Sequence, residues 1–158
     1  MEQRTSKQIK IENHAFMQEV VRMFREQGRK SVTFTVHGCS MHPLIGSRRD
    51  QVELVPPLEP RVGQVVLAEI RPRTYALHRI IAIDGDTITM QGDGNPNTHT
   101  ETFGRNNIVG TATAFIRKGK RISTGSRLWR TYSAVWMFLR PLRRYLLGFY
   151  HRIIMKIF

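Results

Sequence analysis

The stretch QVVLAEIRPRTYALHRIIAIDGDTITMQ, residues 64–91, holds three apolar runs of strand length, parted by RPRT and DGD. Proline, glycine and aspartate at those breaks are turn formers, each for its own backbone reason. Within the middle run the side chains alternate. Tyr75, Leu77, Arg79 and Ile81 fall on one face, and Ala76, His78, Ile80 and Ala82 on the other. A period of two bounded by turn residues predicts β-strands.

The same period recurs outward, in SVTFTV (31–36), QVELV (51–55) and IVGTATAFI (108–116), with VPPLEPRVG and GDGNPN as further breaks. Ahead of them, Phe16, Val20, Val21 and Phe24 recur at helical spacing over residues 12–28 and stop at Gly28. One helix followed by six short strands predicts a mostly-β domain with a folded-over or barrel-like sheet. The expected organisation is an N-terminal amphipathic helix in 1–30, a β domain over 31–118 and a basic helical tail over 119–158.

The tail stands apart in charge. The chain carries 25 Lys/Arg against 12 Asp/Glu, a net +13, yet residues 117–158 hold eleven of the bases and none of the acids. Its Leu128, Trp129, Tyr132, Val135, Trp136 and Leu139 share a helical face. Leu142, Tyr145, Leu146, Phe149, Ile153 and Ile157 continue the stripe beyond Pro141, which suits the first turn of a second helix. Arginines interrupt every long apolar run, so the tail is not expected to cross a bilayer. Either it packs its stripe on the body, or it lies among anionic headgroups, with Trp129, Trp136, Tyr145 and Phe149 inserted and arginines such as Arg143 and Arg144 reaching the lipid phosphates. Nucleic acid is the least favoured partner, because aromatic residues interrupt the basic face and no recognition module is evident. The single Cys39 excludes an internal disulfide, and no Cys/His set has zinc spacing. No metal or cofactor is expected. The expected setting is the reducing cytoplasm, with peripheral contact at the inner membrane surface.

Chemistry concentrates in TVHGCSMHPLIGSRRD, residues 35–50. A glycine before and a proline after Ser40 predict a turn that presents one hydroxyl, and a serine needs a base to become a nucleophile. His37 and His42 are too close along the chain to approach it well, and His14, His99 and His151 lie in the first helix, a polar loop and the tail. His78 sits within a strand among small apolar side chains, a setting in which an imidazole favours the neutral form a base requires. A hydrogen-bonded core histidine would fit the same pattern.

GCSMHPLI, VGQVVLAEI, YALHRIIAI, MQGDGNPN and NIVGTATAFI, taken in order over residues 31–118, resemble the type I signal peptidase family in its Ser-His form, as found in archaea and the endoplasmic reticulum. The resemblance implies Ser40 as nucleophile and His78 as base, with Gly38, Cys39 and Ser40 forming the turn whose backbone N–H groups hold the oxyanion. Gly38 stands where signal peptidases commonly carry a hydroxyl; the related self-cleaving repressors of the SOS response have glycine there. Where the reticulum enzymes place an orienting aspartate, this sequence has Thr98 and His99, leaving Asp93 as the best remaining carboxylate and Glu101 as second choice. The family's N-terminal membrane anchor has no counterpart in these residues, and the helix over 12–28 stands in its place.

The implied activity is that of a serine endopeptidase that cleaves a peptide or protein precursor, falling away below roughly pH 6.5 as an ordinary imidazole base protonates. The alternative is a non-catalytic peptide-binding or membrane-surface adaptor retaining the fold. A self-cleaving regulator is disfavoured, because neither Ala-Gly nor Cys-Gly occurs in the chain.

Overall fold

The computed structural model describes residues 15–38, 40–43, 45–46, 48–95 and 99–157, which build an antiparallel sheet of eight strands with helices at both ends of the chain. A helix over residues 15–25 (α1) precedes β1 (Val32–Thr35), β2 (Asp50–Val55), β3 (Val65–Arg71), β4 (Thr74–Asp84), β5 (Thr87–Gln91), β6 (Glu101–Gly104), β7 (Ile108–Arg117) and β8 (Lys120–Ser123). The helices α2 (Arg127–Phe138) and α3 (Arg143–Ile157) follow, joined by a 3-10 turn at Arg140–Leu142. The sheet order is β1-β2-β7-β3-β4-β5-β6, with β8 also on β7. The mostly-β class expected from the period-two pattern is therefore the observed one.

Turn chemistry explains the hairpins. Arg71 pairs with Thr74 across Pro72 and Arg73, and Arg73 has φ +61°, the type II arrangement in which proline presets the first central position. At the β7–β8 turn both central residues, Lys118 and Gly119, have positive φ, as a two-residue type I′ hairpin needs. That hairpin extends the sheet to Ser123, past the expected domain boundary at 118.

Two apolar clusters fill the fold. One gathers Val20 of α1, Met41 and Ile45 from the loop after β1, Val52, Leu54, Leu67 and Phe115 from the strands, and Trp129 of α2. The other joins Val66, Ile80, Ile88, Met90 and Phe103 on β3 to β6. Burying side chains of this size contributes roughly 1.5–3 kcal/mol each, so both terminal helices are held by the body through what they insert.

The tail therefore packs the two tryptophans of its aromatic stripe on the body and leaves Tyr145 and Phe149 exposed. Trp129 stacks on Phe115 at 4.5 Å between centroids, and the Arg79 guanidinium lies 5.6 Å from the Trp129 ring. Trp136 is buried under the guanidinium of Arg143, itself almost wholly enclosed. Arg143 Nη1 and Arg140 Nε both donate to the Gln91 side-chain oxygen at the end of β5. Of the residues expected at a membrane, Trp129, Trp136 and Arg143 face the body. Arg144, Tyr145 and Phe149 are exposed, Arg144 donating to the Tyr145 hydroxyl. A helix in contact with a protein core buries its largest side chains there, and aromatic size cannot say in advance which apolar surface they meet.

Candidate active site

Ser40 sits in the loop between β1 and β2, and that loop is tied down at several points. Val36 N–H donates to the Asp50 carbonyl, Arg48 N–H to the Val36 carbonyl, and Ile45 N–H to the Met41 carbonyl. Gly38 has φ +95°, a conformation L side chains rarely adopt, so the turn's backbone, and not a lack of space, explains glycine where a hydroxyl residue would be strained. Cys39, the other member of the expected oxyanion turn, lies outside the described residues.

The Asp50 carboxylate closes the loop. It accepts from the Gly46 N–H at 2.7 Å, from Arg49 Nε and Nη2, and from Arg117 Nε and Nη2 on β7. Burial alone would push this carboxyl up. The hydrogen bonds from Arg117, Arg49 and Gly46 outweigh that and hold it down at about 2, against an ordinary 3.8. A carboxyl whose folded pKa is depressed stabilises the fold above its unfolded value and loses that contribution as pH falls through the folded one. Acid unfolding followed between pH 4 and 2 should accordingly weaken the protein by about 2 kcal/mol through this group. Asp50→Asn should be less stable at neutral pH and show a shallower decline over that window; an unchanged acid profile would contradict the assignment.

His78 is buried on β4. Its Nδ1 lies 2.9 Å from Glu101 Oε2, on the first residue of β6. Neutral imidazole beside a carboxylate places its proton on Nδ1, which leaves Nε2 as the acceptor. What Nε2 faces is the turn after β5. A Cβ added to Gly92 would stand 3.0 Å from His78 Nε2 and 2.3 Å from the Ser40 carbonyl oxygen, so one methyl group would strike both. The same turn holds the Ser40 loop directly, Gly94 N–H donating to the Ser40 carbonyl at 2.7 Å. Ser40 and His78 line one cavity of about 490 Å³, walled by apolar groups that include Phe16, Phe34, Tyr75 and Leu77.

Asp93 is not the orienting acid. Its two oxygens accept from Arg79 Nε at 2.8 Å and Arg79 Nη2 at 2.7 Å, and both side chains are fully buried. Register explains the exchange. Counted evenly from the Asp84–Thr87 pair, Asp93 would come to stand opposite His78. The pairing slips between Ile80 and Ala82, so Ile80 meets Met90 and Arg79 meets Gln91. A one-residue slip exchanges the faces of everything beyond it. Gly92 therefore follows Met90 onto the His78 face, while Asp93 follows Gln91 onto the Arg79 face. Glu101 pairs directly with Met90, which puts its carboxylate on the histidine side.

No family model matches the chain, and no curated protein matches it. The case for this site is therefore the geometry itself. A buried histidine joins a carboxylate on one nitrogen, has the Gly92 turn beside the other, and shares an apolar cleft with Ser40.

Proposed function

We propose that the chain is a serine endopeptidase that processes a peptide or protein precursor, with Ser40 as nucleophile, His78 as general base and Glu101 as the carboxylate that orients the imidazole. The observation carrying this reading is that His78, held by Glu101 on one nitrogen, lines the same cavity as Ser40, beside the turn that holds the Ser40 carbonyl.

The steps follow from those roles. His78 Nε2 takes the proton of Ser40 as the hydroxyl oxygen attacks the scissile carbonyl. The Nδ1–H···Glu101 bond stabilises the imidazolium that forms. The Ser40 N–H, with a neighbouring backbone N–H, holds the oxyanion. The imidazolium returns the proton to the leaving amine, and the acyl group on Ser40 is released by a water that His78 deprotonates in turn.

β1 is an edge strand leading into the Ser40 loop, so an extended substrate gains main-chain pairing there. The aromatic and aliphatic walls of the adjoining cavity favour apolar substrate side chains beside the cut. The proposal places this chemistry in the cytoplasm, with the inner membrane surface as a docking place. Among the described residues no helix is long and apolar enough to cross a membrane.

The test is mass spectrometry of a diverse peptide mixture incubated with wild type and with Ser40→Ala. New termini made by wild type and absent with the variant support the reading, and their flanking residues give the preference. Identical mixtures from both would leave a peptide-binding adaptor with the same fold as the better account.

A further inference from the structure

An apolar stripe runs along the water-facing side of α3 and the turn before it. Leu142, Tyr145, Leu146, Phe149 and Ile153 recur at helical spacing and are all exposed, Phe149 by 62%, and Phe138 at the end of α2 is 84% exposed. A water-facing helix surface ordinarily carries polar groups, so a continuous stripe of this kind marks a contact surface. Because Trp136, Arg143 and Leu147 are buried, the stripe is held outward by the body.

The charge beside it selects the occupant. Arg152 and Lys156, one helical turn from Phe149 and Ile153, are exposed, as is Arg144, and residues 117–158 contain no acid. A second copy would bring two such basic faces together with no carboxylate of their own to offset them. Nucleic acid would use the bases and leave the apolar stripe in water. An anionic bilayer satisfies both, with apolar groups entering the acyl boundary and arginines and lysine at the phosphates.

We infer that the outward face of α3, with Phe138, docks the protein on an anionic lipid surface. This specifies the membrane location proposed above, and it stands apart from the peptidase chemistry. Tyr145 and Phe149, two of the four aromatics expected at a membrane, lie on this face, and the two tryptophans do not.

The experiment uses the full-length Ser40→Ala protein, so that lipid binding is read apart from cleavage, in sedimentation with vesicles of phosphatidylcholine alone or mixed with phosphatidylglycerol. Each base near an anionic surface is worth roughly fivefold in partitioning, so binding to the mixed vesicles should be at least tenfold tighter and should weaken with salt. Phe138→Ser and Phe149→Ser should each lower it roughly tenfold, with the circular dichroism spectrum and melting temperature unchanged, since both side chains already face water. Protein that stays in the supernatant, or binds both vesicle types alike, overturns the proposal. So does lipid-free dimerisation in analytical ultracentrifugation that the same variants abolish, which would assign the face to a second copy. None of these results depends on whether the wild-type protein cuts peptides.

Discussion

Alanine at Ser40, at His78 or at both is expected to bring peptide cleavage down to one common floor, about 10^4–10^6-fold below wild type. The effects should not add, because the serine is unreactive without its base and the base has nothing to activate without the serine. The measurement is the initial cleavage rate on a peptide chosen from the mass-spectrometric screen, for both single variants and the double. A Ser40→Ala protein that keeps a tenth of the activity would remove the nucleophile from the mechanism. Glu101→Gln should fall between wild type and that floor, by about 10^2–10^4-fold. The amide NH2 facing Nδ1 makes that nitrogen an acceptor and moves the ring proton to Nε2, where it blocks proton transfer from Ser40. Asp93→Asn has no such effect to exert, because Asp93 bonds Arg79 and not His78.

What Asp93 does is hold the fold. It and Arg79 are both wholly excluded from water, and Arg79 Nη1 also donates to the Gly63 carbonyl and to Ser133 of α2. Removing either partner alone leaves a charge in the core without its counterion, at a cost of about 3–5 kcal/mol. Arg79→Met and Asp93→Leu should each lose stability on that scale in chemical denaturation, and the double variant should recover much of the loss, since an apolar pair of similar volume has no ion to desolvate. Two single variants that each cost under about 1 kcal/mol would mean that water reaches the pair. Because Asp93 lies between Gly92 and Gly94, the single variants should also loosen the turn against which Ser40 rests.

Most of the strands were legible because each has one face on a core, and the period of two survives even in β4, where His78 and Arg79 interrupt the apolar pattern. β6 and β8 were not. ETFG and KRIS have only four residues each, too few for alternation to show, and β8 is recognisable chiefly from the Lys-Gly turn before it. Missing β6 left Glu101 second to Asp93, since a carboxylate in a loop has no assigned face. The Ser40 loop and His78 could be named from spacing and resemblance, whereas which of the two carboxylates meets His78 could not be decided. That depends on a pairing slip within β4, and no composition or periodicity marks where a ladder slips. In the tail, the pattern correctly gave two helices parted near Pro141 but merged two apolar sectors into one. Leu128 and Val135 point outward while Trp129 and Trp136 point inward, a division that only the shape of the body decides.

The slip between Ile80 and Ala82 also sets how this protein can change. A substitution on β4 alters what one position touches. The same residues paired without that slip would stay intact yet meet different neighbours, with Asp93 opposite His78 and Gly92 opposite Arg79. The neighbours of His78 are thus encoded partly in the register of one ladder. Aligning relatives of this protein by residue type alone would misassign the carboxylate beside that histidine wherever the register differs.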